Sequence, residues 1–179
     1  MRMHDATTVM SGGSRGTGLA IAVAAAGQGA NIVLLAKTDQ PDPRLPGTIH
    51  TAAEAITAAG GQALPVVGDA RREQDVAHAA AAAVERFGGV DIVINNASAI
   101  DLRGTAELTT KRFDLMQQVN VRGTYLLTKA CLPALRASAD PRVITLSPPL
   151  NLNPRWLGAR PRPCCMATNP SANVLNASP

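Results

Sequence analysis

Aromatic residues are nearly missing from this chain: one Trp, one Tyr and two Phe among 179 residues. A core must then be assembled from Ala, Val, Leu and Ile, which lets helices lie close to a sheet while each side chain removes little area from water. Cysteine is scarce too. Cys131, Cys164 and Cys165 are too few for a disulfide framework, and the adjacent pair lacks the spacing and the following His of a zinc site. The thiols read as incidental, and no metal is expected. No apolar run approaches a membrane span; the longest, around Ala20 to Ala26, is broken by Gly27 and Gly29. Met1 to Thr8 lack the apolar segment of a secretion signal, so a cytoplasmic protein without a membrane partner is expected.

Acidic residues are missing from one end. Residues 1–150 hold all 13 Asp and Glu against 14 Lys and Arg, whereas residues 151–179 hold Arg155, Arg160 and Arg162 and no acid. The net charge of +4 therefore belongs mostly to the tail. Three dispersed arginines do not make a nucleic-acid surface, and no nucleic-acid partner is expected.

What is present is globular: 46% hydrophobic and 17% charged residues, in a length that suits one domain. Short β-branched runs alternate with alanine-rich stretches, which predicts an α/β fold, a parallel sheet covered by helices. Strands are expected at residues 7–10, 31–36, 63–67, 90–94 and 142–146. Helices are expected at 16–28, 48–59 and 73–87, the last two closed by Gly60-Gly61 and Gly88-Gly89. A longer helical stretch covers 108–137, with a break near Val119 to Gly123. Pro65 is tolerable only at a strand's start or on a sheet edge. From Pro148 to Pro179 there are seven prolines, no acids and no sustained period. The expected organisation is a core over residues 1–158 and an irregular tail over 159–179.

Gly12-Gly13-Ser14-Arg15-Gly16-Thr17-Gly18 lies between the first strand and the first helix, where a phosphate loop belongs. Glycine lets the backbone turn and approach a pyrophosphate, and the helix N-terminus supplies N–H donors. NAD binders carry an acid at the end of the second strand for the ribose 2′-hydroxyl. Here that place reads Ala36-Lys37-Thr38, and Asp39 is the first acid. Arg15 and Lys37 together suit a 2′-phosphate, which favours NADP over NAD; the alternative is that both are solvated surface charges.

Gly12-x3-Gly16-x-Gly18, Asp69 after the third strand, Asn95-Asn96-Ala97 after the fourth and Asn120 in the long helical stretch fall in one order. That order resembles the short-chain dehydrogenases/reductases, over roughly residues 6–158. Lys37-Thr38 through Ile49, Asn95 to Ile100 and Ser147 to Pro154 resemble one subgroup within the family. The resemblance implies a doubly wound, Rossmann-like sheet and NADP-dependent hydride transfer to or from the carbonyl or hydroxyl carbon of a small molecule, in a homo-oligomer. It assigns Gly12, Ser14, Arg15, Gly16, Thr17, Gly18 and Lys37 to the cofactor's phosphates and ribose. Asp69 falls to the adenine region and Asn96 to the nicotinamide half, although Asn95 and Asn96 suit a structural role equally well. Ser11 stands where the family usually has Thr, keeping the hydroxyl.

In the family, a Tyr works as acid or base on the substrate oxygen. A Lys four residues later lowers its pKa, a Ser polarises the oxygen, and an Asn supports a proton-relay water. Asn120 matches that Asn, and Ser147 is the nearest candidate for the Ser, with Pro148 and Pro149 disturbing its register. Spacing from Trp156 puts the Tyr at Pro163 and the Lys at Ala167, and neither residue type occurs after Lys129. Tyr125-x3-Lys129 has the right spacing but precedes the fifth strand, and is expected to be a packed Tyr beside an exposed Lys. The implied fold is thus incomplete at its C-terminal side, whether the tail arises by frameshift, by deletion or is genuine, with an unpaired sheet edge, marginal stability and doubtful oligomerisation expected. The chain is expected to be catalytically impaired, and a non-catalytic NADP-binding module or a non-functional fragment remain alternatives. The substrate is not legible.

Overall fold

The computed structural model describes residues 3–43, 46–104 and 106–147, together with the backbone of 173–177. The elements are β1 (Thr7–Ser11), α1 (Gly16–Ala26), β2 (Asn31–Ala36), α2 (Ile49–Ala58), β3 (Gln62–Val67), α3 (Glu73–Phe87) and β4 (Ile92–Asn95). They continue with α4 (Thr110–Met116), a π-helical segment (Gln117–Gly123), α5 (Thr124–Ala137), β5 (Arg142–Ser147) and β6 (Asn173–Ala177). The expected break in the long helical stretch is the π-helical turn.

The strands lie in the order β3-β2-β1-β4-β5-β6. β1 to β5 are mutually parallel, with β1 between β2 and β4. Chain order therefore reverses across β1, and the loops leaving β1 and β4 part to opposite faces, which opens a crevice at the carboxyl ends of the strands. β3 is an edge strand, which is how Pro65 is accommodated in its interior, opposite Leu34.

β2 shows how the sequence selects this architecture. Its run Asn-Ile-Val-Leu-Leu-Ala is buried throughout, as a strand covered on both faces requires. Ile32 and Leu34 enter one core with Met10, Ile49, Ile56 and Ile94, beneath α1 and α2. Val33 and Leu35 enter the other with Val9, Val76, Val93, Leu127 and Cys131, beneath α3 and α5. Successive residues alternate between the two cores because strand side chains alternate faces. Alanines such as Ala22, Ala26, Ala79 and Ala83 form the helix contacts, each with no exposed surface.

Two expectations about the C-terminal part need correction. Residues 173–177 are strand rather than irregular, and they run antiparallel along β5, with Ser147 opposite Asn173 and Val143 opposite Ala177. The far edge of β5 is therefore paired, by main-chain hydrogen bonds that need no apolar period to form. Residues 148–172, including Pro163 and Ala167, lie outside the described residues. No described helix is long and apolar enough to cross a membrane.

Candidate functional site

The crevice is a cleft of about 460 Å3 lined from the loop after β1, the ends of β2 and β3, and the loop after β4. Gly12 turns the chain out of β1 in the left-handed region at φ 74°. A Cβ there would stand 2.8 Å from Ala97 Cα, so the residue must be glycine on two counts. At Gly18, in the first turn of α1, a Cβ would lie 2.7 Å from the Gly12 carbonyl oxygen. The loop is thus packed without side chains where its backbone approaches both α1 and the loop after β4, and Thr17 and Gly18 bring the first turn of α1 to the cleft.

Asn96 and Ser11 lock the two sides of the crevice together. The Asn96 side-chain nitrogen donates to the carbonyls of Ser11 (3.1 Å) and Gly12 (2.7 Å). In return, Ser11 Oγ accepts from the backbone N–H groups of Asn96 and Ala97 at 3.3 and 3.2 Å. Asn96 lines the cleft, yet both hydrogens of its amide nitrogen are spent on the loop. Asn95 donates to the hydroxyls of Thr128 and Thr145, tying β4 to α5 and β5.

The end of β2 carries the charge. Arg15 donates to the Thr38 hydroxyl, and the Lys37 ammonium, 60% exposed, stands 3.8 Å from Asp69 Oδ2. Asp69 is 7% exposed. Its carboxylate accepts from Arg71 Nε and Nη2 and from the Arg71 backbone N–H. Chiefly through those side-chain bonds, the guanidinium holds the Asp69 carboxyl down at about 2, against the cost of its partial burial.

Loop 96–104 forms the remaining wall and is anchored twice. Asn120 clasps Ala99 through both ends of its amide, Oδ1 accepting from the Ala99 N–H and Nδ2 donating to the Ala99 carbonyl, each at 2.9 Å. Asp101 accepts from Arg103 and from Arg112 on α4, whose guanidiniums hold its carboxyl far below the usual range.

Gly12, Ser14, Arg15, Thr17, Gly18, Lys37, Asp69 and Asn96 therefore meet in one cleft. Gly16, Asn120 and Ser147 are not among its lining residues; Gly16 begins α1, Asn120 has its side chain on the wall loop, and Ser147 ends β5. Tyr125 is exposed rather than packed, at 60%, while Lys129 makes an ion pair with Glu73 at 3.1 Å. Neither lines the cleft. Sequence reasoning missed Thr38, Arg71 and the Ala97–Ala99 backbone. The one available signal was the Asp-x-Arg spacing at 69–71, which permits a local side-chain pair.

The family model described as short chain dehydrogenase matches residues 6–157. The chain is 56% identical to hydroxysteroid dehydrogenase-like protein 2 of Bos taurus over 155 residues, which is 87% of this chain and 37% of that protein. Among solved structures, a short chain dehydrogenase from Mycobacterium thermoresistibile superposes with a TM-score of 0.82 at 54% identity, covering 87% of this chain and 55% of that one. A NADH-dependent reductase A1-R′, complexed with NAD, superposes with a TM-score of 0.71 at 27% identity, covering 82% and 60%. The chain thus spans 37% of the curated relative's length and 55% of the mycobacterial chain's.

Proposed function

The chain belongs to the short-chain dehydrogenase family, and on that premise we propose that its cleft binds NADP and that it descends from an oxidoreductase acting on carbonyl or hydroxyl groups. The observation that carries NADP over NAD is the end of β2. Lys37 and Arg15 stand there beside Thr38, and Asp69, the acid on this wall, is already matched by Arg71. A 2′-phosphate is favoured by such a surplus of cations, whereas a free ribose needs an acceptor for its 2′-hydroxyl. The tight loop supports the cofactor itself, since Gly12 and Gly18 let its backbone pack against Asn96 and Ala97 with no side chain between, at the N-terminus of a helix. When bound, the nicotinamide supplies the hydride donor or acceptor.

The chain's own residues divide the remaining work. Gly12, Ser14, Gly16, Thr17 and Gly18 cradle the phosphates with N–H and hydroxyl donors, Lys37 and Arg15 neutralise the 2′-phosphate, and Asp69 borders the adenine region. Asn96 and Asn120 hold the walls through backbone groups. Ser147 is retained as the substrate-polarising hydroxyl, on its place at the end of β5 alone. Pro163 and Ala167 stand where spacing from Trp156 puts the family's Tyr and Lys, so we assign this chain cofactor binding with little or no turnover. The reading keeps residues 1–158 as the nucleotide-binding unit and 159–179 as an appended tail.

Titrating the full chain with NADPH and NADH, followed by cofactor fluorescence, tests this. Tighter NADPH binding without reduction of a panel of carbonyls is expected. Tighter NADH binding overturns the cofactor assignment, and absence of binding leaves a fragment without function. Tyr125→Phe is expected to change neither binding nor any residual turnover, and loss of a measured reductase activity in that variant would restore Tyr125-x3-Lys129 as catalytic.

A further inference from the structure

Lys37 and Asp69 are opposite charges 3.8 Å apart on one wall of the cleft, beyond direct hydrogen-bond distance. Left to itself, a carboxylate in that position draws a flexible ammonium into contact and takes it from whatever anion the cleft receives. Arg71 stands between these outcomes. Its Nε lies 3.0 and 2.9 Å from the two Asp69 oxygens, its Nη2 2.6 Å from one of them, and its backbone N–H 3.0 Å from Oδ1. Arg71 is held in turn by Arg122 of the π-helical segment, which donates to its carbonyl. The Asp69 N–H is taken by Asp75 Oδ2 at 2.8 Å, fixing the carboxylate's own backbone.

We propose that Arg71 is a positioning residue for recognition of a 2′-phosphate, acting by occupying Asp69 so that Lys37 stays available to the anion. This rests on the NADP reading and deepens it. Beside Arg15, Lys37 contacts the phosphate, and Arg71 occupies the carboxylate that would otherwise capture Lys37. Ionisation of Asp69 across the working pH range follows from its carboxyl being held at about 2, so the carboxylate always needs a partner.

The test measures dissociation constants of the full chain for NADPH and NADH, and for 2′,5′-ADP and 5′-AMP as probes that lack the nicotinamide half. Wild type is compared with Arg71→Gln, Arg71→Lys, Lys37→Met, the Lys37→Met/Arg71→Gln pair and the Asp69→Asn/Arg71→Gln pair. Arg71→Gln is expected to weaken NADPH and 2′,5′-ADP about tenfold while changing NADH and 5′-AMP by less than about twofold. Arg71→Lys recovers part of the preference. The Lys37→Met/Arg71→Gln pair is no worse than Lys37→Met alone, because Arg71 works through Lys37. Asp69→Asn/Arg71→Gln regains the 2′-phosphate preference, because the charge that Arg71 masks is gone. Equal weakening of all four ligands by Arg71→Gln marks a merely structural Arg71 and overturns the inference while leaving the NADP reading intact. Additive losses in the Lys37→Met/Arg71→Gln pair, or no recovery with Asp69→Asn, overturn it equally. A wild-type preference for NADH and 5′-AMP overturns the NADP reading itself, and the inference with it.

Discussion

A methyl group on residue 18 would meet the Gly12 carbonyl oxygen at 2.7 Å, closer than real Cβ contacts, and the loop would have to open to admit it. Gly18→Ala is therefore expected to weaken NADPH binding by at least about tenfold, measured by fluorescence titration beside the thermal midpoint. Asp69 makes stability depend on pH in a definite direction. Its folded carboxyl lies at about 2, below the usual value of about 3.9. Its contribution is complete above the unfolded value and disappears as pH falls through the folded one. The midpoint of wild type is expected to exceed that of Arg71→Gln by a constant margin above about pH 5, the margin closing toward about pH 2. A margin unchanged at acid pH would show that the Asp69–Arg71 pair is not its source. At this scale, glycine positions were legible in the sequence because a backbone requirement admits one residue type. The duties of Arg71 and Asn120 were not, since nothing in an Arg or an Asn says which neighbour it will bind until the chain has folded. The resemblance assigns Asn120 to a proton-relay water, and the neighbour its amide binds, the backbone of Ala99, could not be read beforehand.

Elements follow the chain's local chemistry more openly. α2 begins where Thr48 and Thr51 exchange capping bonds, the Thr51 N–H donating to Thr48 Oγ1 at 3.2 Å and the Thr48 N–H to Thr51 Oγ1 at 2.8 Å. Thr48→Ala removes the first of these and is expected to cost about 1 kcal/mol in urea unfolding, with an unchanged denaturant slope. α3 ends at Gly88, whose left-handed φ of 84° admits glycine without strain. Both ends were visible in sequence, as was the departure from α-helical form near Val119. The π-helical character of 117–123 was not, because a widened turn carries no composition of its own. That segment places Asn120 against loop 96–104. Asn120→Ala is expected to accelerate amide exchange at Ala99 while α5 keeps its protection, read by hydrogen exchange with mass spectrometry.

For the whole molecule, the alternation of strand and helix fixed a doubly covered parallel sheet, and burial of both faces of β2 is its direct expression. β6 was hidden because five residues in a proline-rich tail have too short a pattern to identify, and their place is decided by the unpaired edge they meet. Removing residues 173–177 is expected to lower the concentration at which the chain scatters light, since the edge of β5 is then open to another chain. The four hydrogen bonds that join Ser11 and Gly12 to Asn96 and Ala97 connect residues 84 to 86 positions apart. During synthesis, the glycine loop leaves the ribosome long before the strand that gives it shape. A nascent chain halted ahead of Asn95 carries every glycine of the loop and no nucleotide mouth, so cofactor can begin to stabilise the folding chain only once β4 has docked beside β1.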